Sequence, residues 1–370
     1  MTSATGRISI PATLTTRDNN LNALRLIAAI LVLFSHCYPL SGNVQLEPIA
    51  RFLKVFDGGA LAVMAFFFLS GYLISASWNN TPHFPSFMLK RALRILPGLA
   101  VMATISALLL GPIISTLDIT QYFQSDQAFR YIRDNINVLS LSTNTLPGVF
   151  ETLPLPNAVN GSLWTLKTEF LVYIATGLLG ATCLLPSQGK GLRTVLFSVM
   201  ILYVFYRLTV LTKAEWEAWH LPLDYFSYRL IAVYLLGTVA FVNRNRLIRS
   251  WFVLAGLAAT TWLVRDTHLF YFSIYLSYGY FLLLLATSPV RILGTSIRTH
   301  DYSYGTYIYA FPIQQTIVML MPGVAPLTLF LVALPVILVF ASASWHWVEK
   351  PALRLKDFPF GLSFSRNTNG

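Results

Sequence analysis

In LNALRLIAAILVLFSHCYPL, residues 21–40, Arg25 and His36 interrupt an apolar run of helix length. An ionisable group inside a bilayer is costly and usually faces the bundle interior or a polar cavity. The two stand eleven positions apart, three helical turns and about 20°, so they share one helix face. The rise between them is roughly 16 Å, about half the hydrocarbon thickness. Arg25 is suited to snorkelling at the interface, and His36 to hydrogen-bonded helix packing. Together, on one face, they also suit a polar channel with a cation at one mouth and a proton-transferring imidazole deeper in.

A second basic group follows in KRALRILPG, residues 90–98. Arg91 and Arg94 are spaced to grip one anion together, and Lys90 adds a charge at the same helix end. Basic residues there also satisfy the positive-inside rule. Arg25 is expected at the same depth, and three arginines at one level suit a ligand with several phosphates. AFFFLSGYLIS, residues 65–75, sets Ser70 and Gly71 among phenylalanines. Such a pair allows close helix packing, or leaves room for a thin ligand to pass. In SLWTLKTEFLVY, residues 162–173, Glu169 follows Trp164 by five positions. A buried carboxylate needs a partner. Glu169 either pairs with Arg207 or Arg229, or faces His36 across a shared cavity, orienting the imidazole or holding a substrate hydroxyl. Trp164 and Tyr309 are candidate substrate contacts. The other tyrosines of DYSYGTYIYAFPIQQ fit interface anchoring.

The chain that carries these residues has 370 amino acids, 55% hydrophobic and only 11% charged, with mean hydropathy +0.60. That composition reads as an all-α polytopic membrane helix bundle. Ten spans are expected, at about 21–40, 58–78, 92–112, 163–185, 194–212, 225–242, 250–265, 268–287, 302–321 and 326–348. Residues 1–20 are polar and the first apolar run is full length, so it is expected to be a retained span rather than a signal. One long external segment, about 113–162, has helical periodicity in part and is proline-rich near its end. With both termini cytoplasmic, as tails 1–20 and 349–370, the inner segments hold 17 of the 26 Lys and Arg but only 4 of the 15 Asp and Glu. The net charge of +11 is therefore a topology signal, and nucleic acid needs no place in the account. Cys37 and Cys183 fall at opposite ends of their helices, which argues against a disulfide between them, and no metal-ligand spacing appears.

These motifs, in order, resemble the integral-membrane acyltransferase-3 family over about residues 18–355. The carrying stretches are LRLIAAILVLFSH, FFFLSGYLI, KRALRILP, NGSLWTLKTEF, YSYGTYIYAFP and WHWVEKP. The resemblance is to the stand-alone membrane form, without a fused esterase-like domain. It implies an enzyme of the bacterial inner membrane that acylates a glycan such as O-antigen, exopolysaccharide or a lipid-linked oligosaccharide. It implies His36 as essential to catalysis, Glu169 as a recurrent acidic position, and Arg25, Arg91 and Arg94 in the use of acyl-CoA, acetyl-CoA being the expected co-substrate. The sequence departs from the family at Ala310, where many relatives have histidine.

Both readings meet in transmembrane acyl transfer. Acyl-CoA docks its phosphates on the arginines, its pantetheine arm reaches outward past Ser70 and Gly71, and the thioester lies near His36. His36 then acts as general base toward an acceptor hydroxyl, or itself forms an acyl-imidazole. A different class of protein fits part of the pattern: a proton-coupled secondary transporter with His36 and Glu169 as relay. It leaves the arginine cluster unexplained, and no inverted repeat is visible. A catalytically silent scaffold for glycan assembly is a third reading.

Overall fold

The computed structural model describes residues 19–140, 144–186, 191–218, 223–290, 292–294 and 300–357. Most of the expected terminal tails, 1–20 and 349–370, lies outside the described residues. Among those described, the chain is helical and contains no strand. Each of the ten expected spans is a helix: α1 Leu21–Leu40, α2 Gly58–Asn80, α3 Phe84–Ile105, α4 Trp164–Ala181, α5 Leu192–Val210, α6 Tyr225–Val242, α7 Trp251–Leu263, α8 Phe270–Ala286, α9 Ser303–Leu320 and α10 Pro326–Ser344. Both α3 and α10 run on through a π turn, at Ser106–Leu110 and Trp345–Glu349.

Six helices, α1, α2, α3, α5, α6 and α10, are long and apolar enough to cross a bilayer. Helices α7 and α8 are apolar but shorter. Helices α4 and α9 have 18 residues each and carry the polar groups of the site. The protein is thus a multi-pass membrane bundle. α3 begins at Phe84, eight residues before the expected position. His83 caps it by accepting from the Ser86 backbone N–H, and Pro85 sits in its first turn, so the polar stretch before the apolar run is already helical.

Helix α2 is the hub, packed against α1, α4, α6 and α8. Its contact with α6 is close because Gly71 and Gly237 face each other's backbones. A Cβ on Gly71 would fall on the Tyr234 carbonyl oxygen, and one on Gly237 on that of Phe68. Hydroxyls seal the seam: Ser75 donates to the Gly71 carbonyl and pairs with Thr238. Gly71 therefore serves packing, and the expectation that its missing side chain leaves room for a thin ligand is corrected: the α6 backbone fills that space. Gly71→Val is expected to destabilise by about 1–3 kcal/mol through overpacking, seen as a lower melting temperature of the purified protein in detergent.

Helix α1 is held between α2, α9 and α10. The segment after α3 folds into the short helices Ile119–Gln124 and Gln127–Ile136. It is anchored to the π turn by the buried Tyr122, whose hydroxyl donates to the Ala107 carbonyl (2.7 Å). This segment and residues 41–57 cover the same end of the bundle as the C-terminal end of α1.

Candidate functional site

His36 projects from the last turns of α1 into a cavity of about 480 Å³ at that end. The volume falls in the range of small-molecule sites. Its walls include Asp57 at the start of α2, Trp164 at the start of α4, Arg229 on α6, Tyr271 on α8 and Tyr307 on α9. The turn that carries His36 is fixed from α9. Gln314 Nε2 donates to the Leu33 carbonyl (2.9 Å) and lies 2.9 Å from Cys37 Sγ. The His36 ring meets Phe311 edge-on, with centroids 5.6 Å apart, and its buried Nδ1 has no hydrogen-bond partner among the described residues. A buried polar nitrogen left open in this way is available to a ligand proton. Glu47 ties the covering loop down by accepting from the backbone N–H groups of Ala50 and Gly58.

A second, narrower cavity of about 40 Å³ lies toward the other end of the bundle. Arg25, Arg94, Glu169, Tyr173 and Tyr304 line it. Val63 and Tyr307 line both cavities and so stand between them. The Tyr307 hydroxyl is held in place by donating to the Ser162 carbonyl (2.6 Å) and pairing with the Thr165 hydroxyl (2.8 Å). His36 lines the wider cavity and Arg25 the narrower one.

The arginines at this end of the bundle are not equivalent. Asp301 accepts from Arg25 (2.7 Å) and from Arg94 (2.6 Å), and Arg94 also reaches Glu349 (2.8 Å). Glu349 accepts in addition from Ser344 (2.9 Å), and Asp301 from Ser303. Burial disfavours the Asp301 carboxylate, but Arg25 and Arg94 outweigh that and hold its pKa at about 2, below the ordinary 3.8. This network of two cations and two anions ties α1, α3, α9 and α10 together. Arg91 lies outside it. It donates to the Ser77 hydroxyl (3.3 Å), sits against the rings of Phe87 and Tyr173, and has no carboxylate partner among the described residues.

Several expectations change in this geometry. Glu169 does not line the cavity of His36. It lines the inner one and accepts from Tyr173, one turn further along α4. Nor does it pair with Arg207 or Arg229. The carboxylates in the His36 cavity are Asp57 and Glu47. Tyr309 is turned toward α10, with its ring 5.7 Å from that of Phe340, and lines neither cavity. Tyr304, Tyr307 and Tyr309 are buried rather than interfacial, because their hydroxyls reach partners inside the bundle, as when Tyr304 donates to the Ile95 carbonyl. Ala310 is buried in apolar packing among α1, α9 and α10. Trp164 does line the outer cavity. Sequence reading missed Asp301 and Glu349, although acidic residues in otherwise basic segments were the available signal. It also missed Asp57, which caps α2 by accepting from Ala60 and follows the Asp-before-apolar-run pattern of an N-cap.

The chain is similar to known proteins over nearly its whole length. A family model described as an acyltransferase domain matches residues 18–346. The chain is 33% identical over 353 residues to an O-acetyl transferase of Shigella phage Sf6, covering 90% of this chain and 96% of the relative. It is 25% identical over 365 residues to Nodulation protein 10 of Rhizobium leguminosarum bv. viciae, covering 91% and 94%. No solved structure matches significantly. Among the described residues no group of three or more metal-ligating side chains is found.

Proposed function

Since this chain belongs to the integral-membrane acyltransferase-3 family, we propose that it is an O-acyltransferase moving an acyl group, acetyl in the first instance, from cytoplasmic acyl-CoA to a hydroxyl of an extracytoplasmic glycan. The observation that carries this reading is the pair of cavities that meet at Val63 and Tyr307 as shared lining, with arginines in one and His36 in the other. A transferase that takes its donor from one side and its acceptor from the other needs such a pair.

In this reading the basic end of the bundle receives acyl-CoA. Arg91 supplies the positive charge not committed to a carboxylate, while Arg25 and Arg94 shape the mouth through Asp301 and Glu349. In this reading the pantetheine arm passes Val63 and Tyr307 and sets the thioester beside His36. The acceptor hydroxyl enters the wide cavity, where Trp164 offers a face for a sugar ring. His36 takes the hydroxyl proton as the oxygen attacks the thioester carbonyl. The C–S bond breaks, and the proton on the imidazole passes to the departing CoA thiolate. Direct transfer is favoured over an acyl-imidazole because the outer cavity has room for both reactants at once. Glu169, in the inner cavity, faces the path of the arm rather than the acceptor.

The expected result is that surface glycan from cells expressing this chain carries O-acyl esters, seen by mass spectrometry as added acyl mass that mild alkali removes. Glycan from cells lacking it does not. Identical spectra from the two would sink the proposal.

A further inference from the structure

Arg229 occupies an unusual position in the outer cavity. Its guanidinium lies 3.8 Å from the centroid of the Tyr271 ring and 4.6 Å from that of Tyr225. It donates to the Tyr225 hydroxyl and to that of Tyr275 (3.3 Å). Its buried Nε has no partner, and no carboxylate pairs with it among the described residues. The nearest acid on its own helix, Asp224, is turned to Ser227 as the N-cap. Tyrosine faces and hydroxyls orient a guanidinium but do not neutralise it, and a partly desolvated cation without a counter-ion is unfavourable. The inner arginines Arg25 and Arg94 show the alternative, since each has its carboxylate. Arg229 lines the same cavity as His36 and Trp164.

We propose that Arg229 and its tyrosine box form an oxyanion-recognition subsite in the acceptor cavity, reading a carboxylate or phosphate carried by the acceptor glycan. The ligand supplies the counter-ion that the protein omits. A guanidinium presents its N–H donors as a planar fork, the geometry that matches either group. The inference rests on the transferase reading only in placing the acceptor in this cavity.

The test is a thermal-shift titration of the purified full-length protein in nanodiscs, without acyl donor. The probes are methyl glucuronide (carboxylate), glucose 1-phosphate (phosphate) and methyl glucoside (neutral). At least one charged sugar should bind about ten- to a hundredfold more tightly than the neutral one, the worth of a charged hydrogen-bonded contact. Which charged sugar wins identifies the source, a sugar acid or a phosphate-linked carrier. Arg229→Gln should erase the preference while leaving methyl glucoside binding unchanged. Arg229→Lys, which keeps charge but not the fork, should retain only part of it, and it carries the test if the glutamine variant does not fold. Equal binding of all three sugars by the wild type, or an undiminished preference in Arg229→Gln, overturns the proposal. Because no acyl transfer is measured, failure here leaves the transferase reading standing, and failure of that reading leaves this binding preference measurable.

Discussion

His36→Ala should abolish O-acylation of the glycan while the protein remains folded in the membrane. Removing a general base costs about 10²- to 10⁴-fold in rate, which in cells reads as loss of the ester. Folding should survive because the imidazole contributes little to the packing around it. Its Nδ1 makes no hydrogen bond, and its main contact is an edge-on meeting with Phe311. The turn that bears it is held by Gln314 through the Leu33 carbonyl and Cys37, neither of which the substitution touches. Two measurements taken together separate this reading from transport: ester content of the glycan and the amount of glycan exported. Lost ester with normal export supports the enzyme. Lost export with normal ester per glycan identifies a proton-coupled carrier. The separation of Glu169 from the His36 cavity already removes the short relay that the carrier reading relied on.

Arg94→Met should be the most destabilising single change at the arginine end of the bundle, by about 3–5 kcal/mol, because it leaves the buried Glu349 without a cation and Asp301 with Arg25 alone. Asp301 and Glu349 both depend on it, and the Glu349 side chain is only 1% exposed. Asp301→Asn should cost less, since Arg94 keeps Glu349, and Arg91→Met less again, since it breaks no ion pair. The ranking can be read from monodisperse peak area after heating detergent-solubilised protein. The same network makes a prediction about pH. The folded pKa of Asp301 is about 2 against an ordinary 3.8, so its stabilisation is fully present above about 3.8 and is lost as pH falls through 2. The stability gap between wild type and Asp301→Asn should therefore be constant from neutral pH down to about 4 and close below it. A gap that changes between pH 8 and 5 would mean that another group controls the network.

The ranking bears on how the inner arginines were understood. By type and spacing, Arg25, Arg91 and Arg94 look like one phosphate clamp. In the fold they divide: two are matched by carboxylates from α9 and the end of α10, and one is not. Asp301 and Glu349 lie more than 200 residues from Arg94 in sequence, and no local pattern pairs them. Tyr307 tells the same story in apolar dress. In sequence it is one of four tyrosines at a helix start, whereas in the bundle its hydroxyl is satisfied at Ser162 and Thr165 and its ring divides the two cavities.

What the amino-acid sequence determined by itself was whatever depends on composition and on one helix at a time. The ten helices, the shared face of Arg25 and His36, and the family all follow from apolar run lengths, the 100° step and ordered motifs, which are local properties of the chain. Only the tertiary structure decided which polar groups meet. It turned Glu169 inward, filled the space beside Gly71 with the α6 backbone, sent Tyr309 to α10, and left Arg229 among tyrosines without an acid. The physical reason is that a bilayer makes every helix apolar on average. The few polar side chains then find partners according to how the helices rotate and dock, and that is set by interlocking surfaces far apart in the chain.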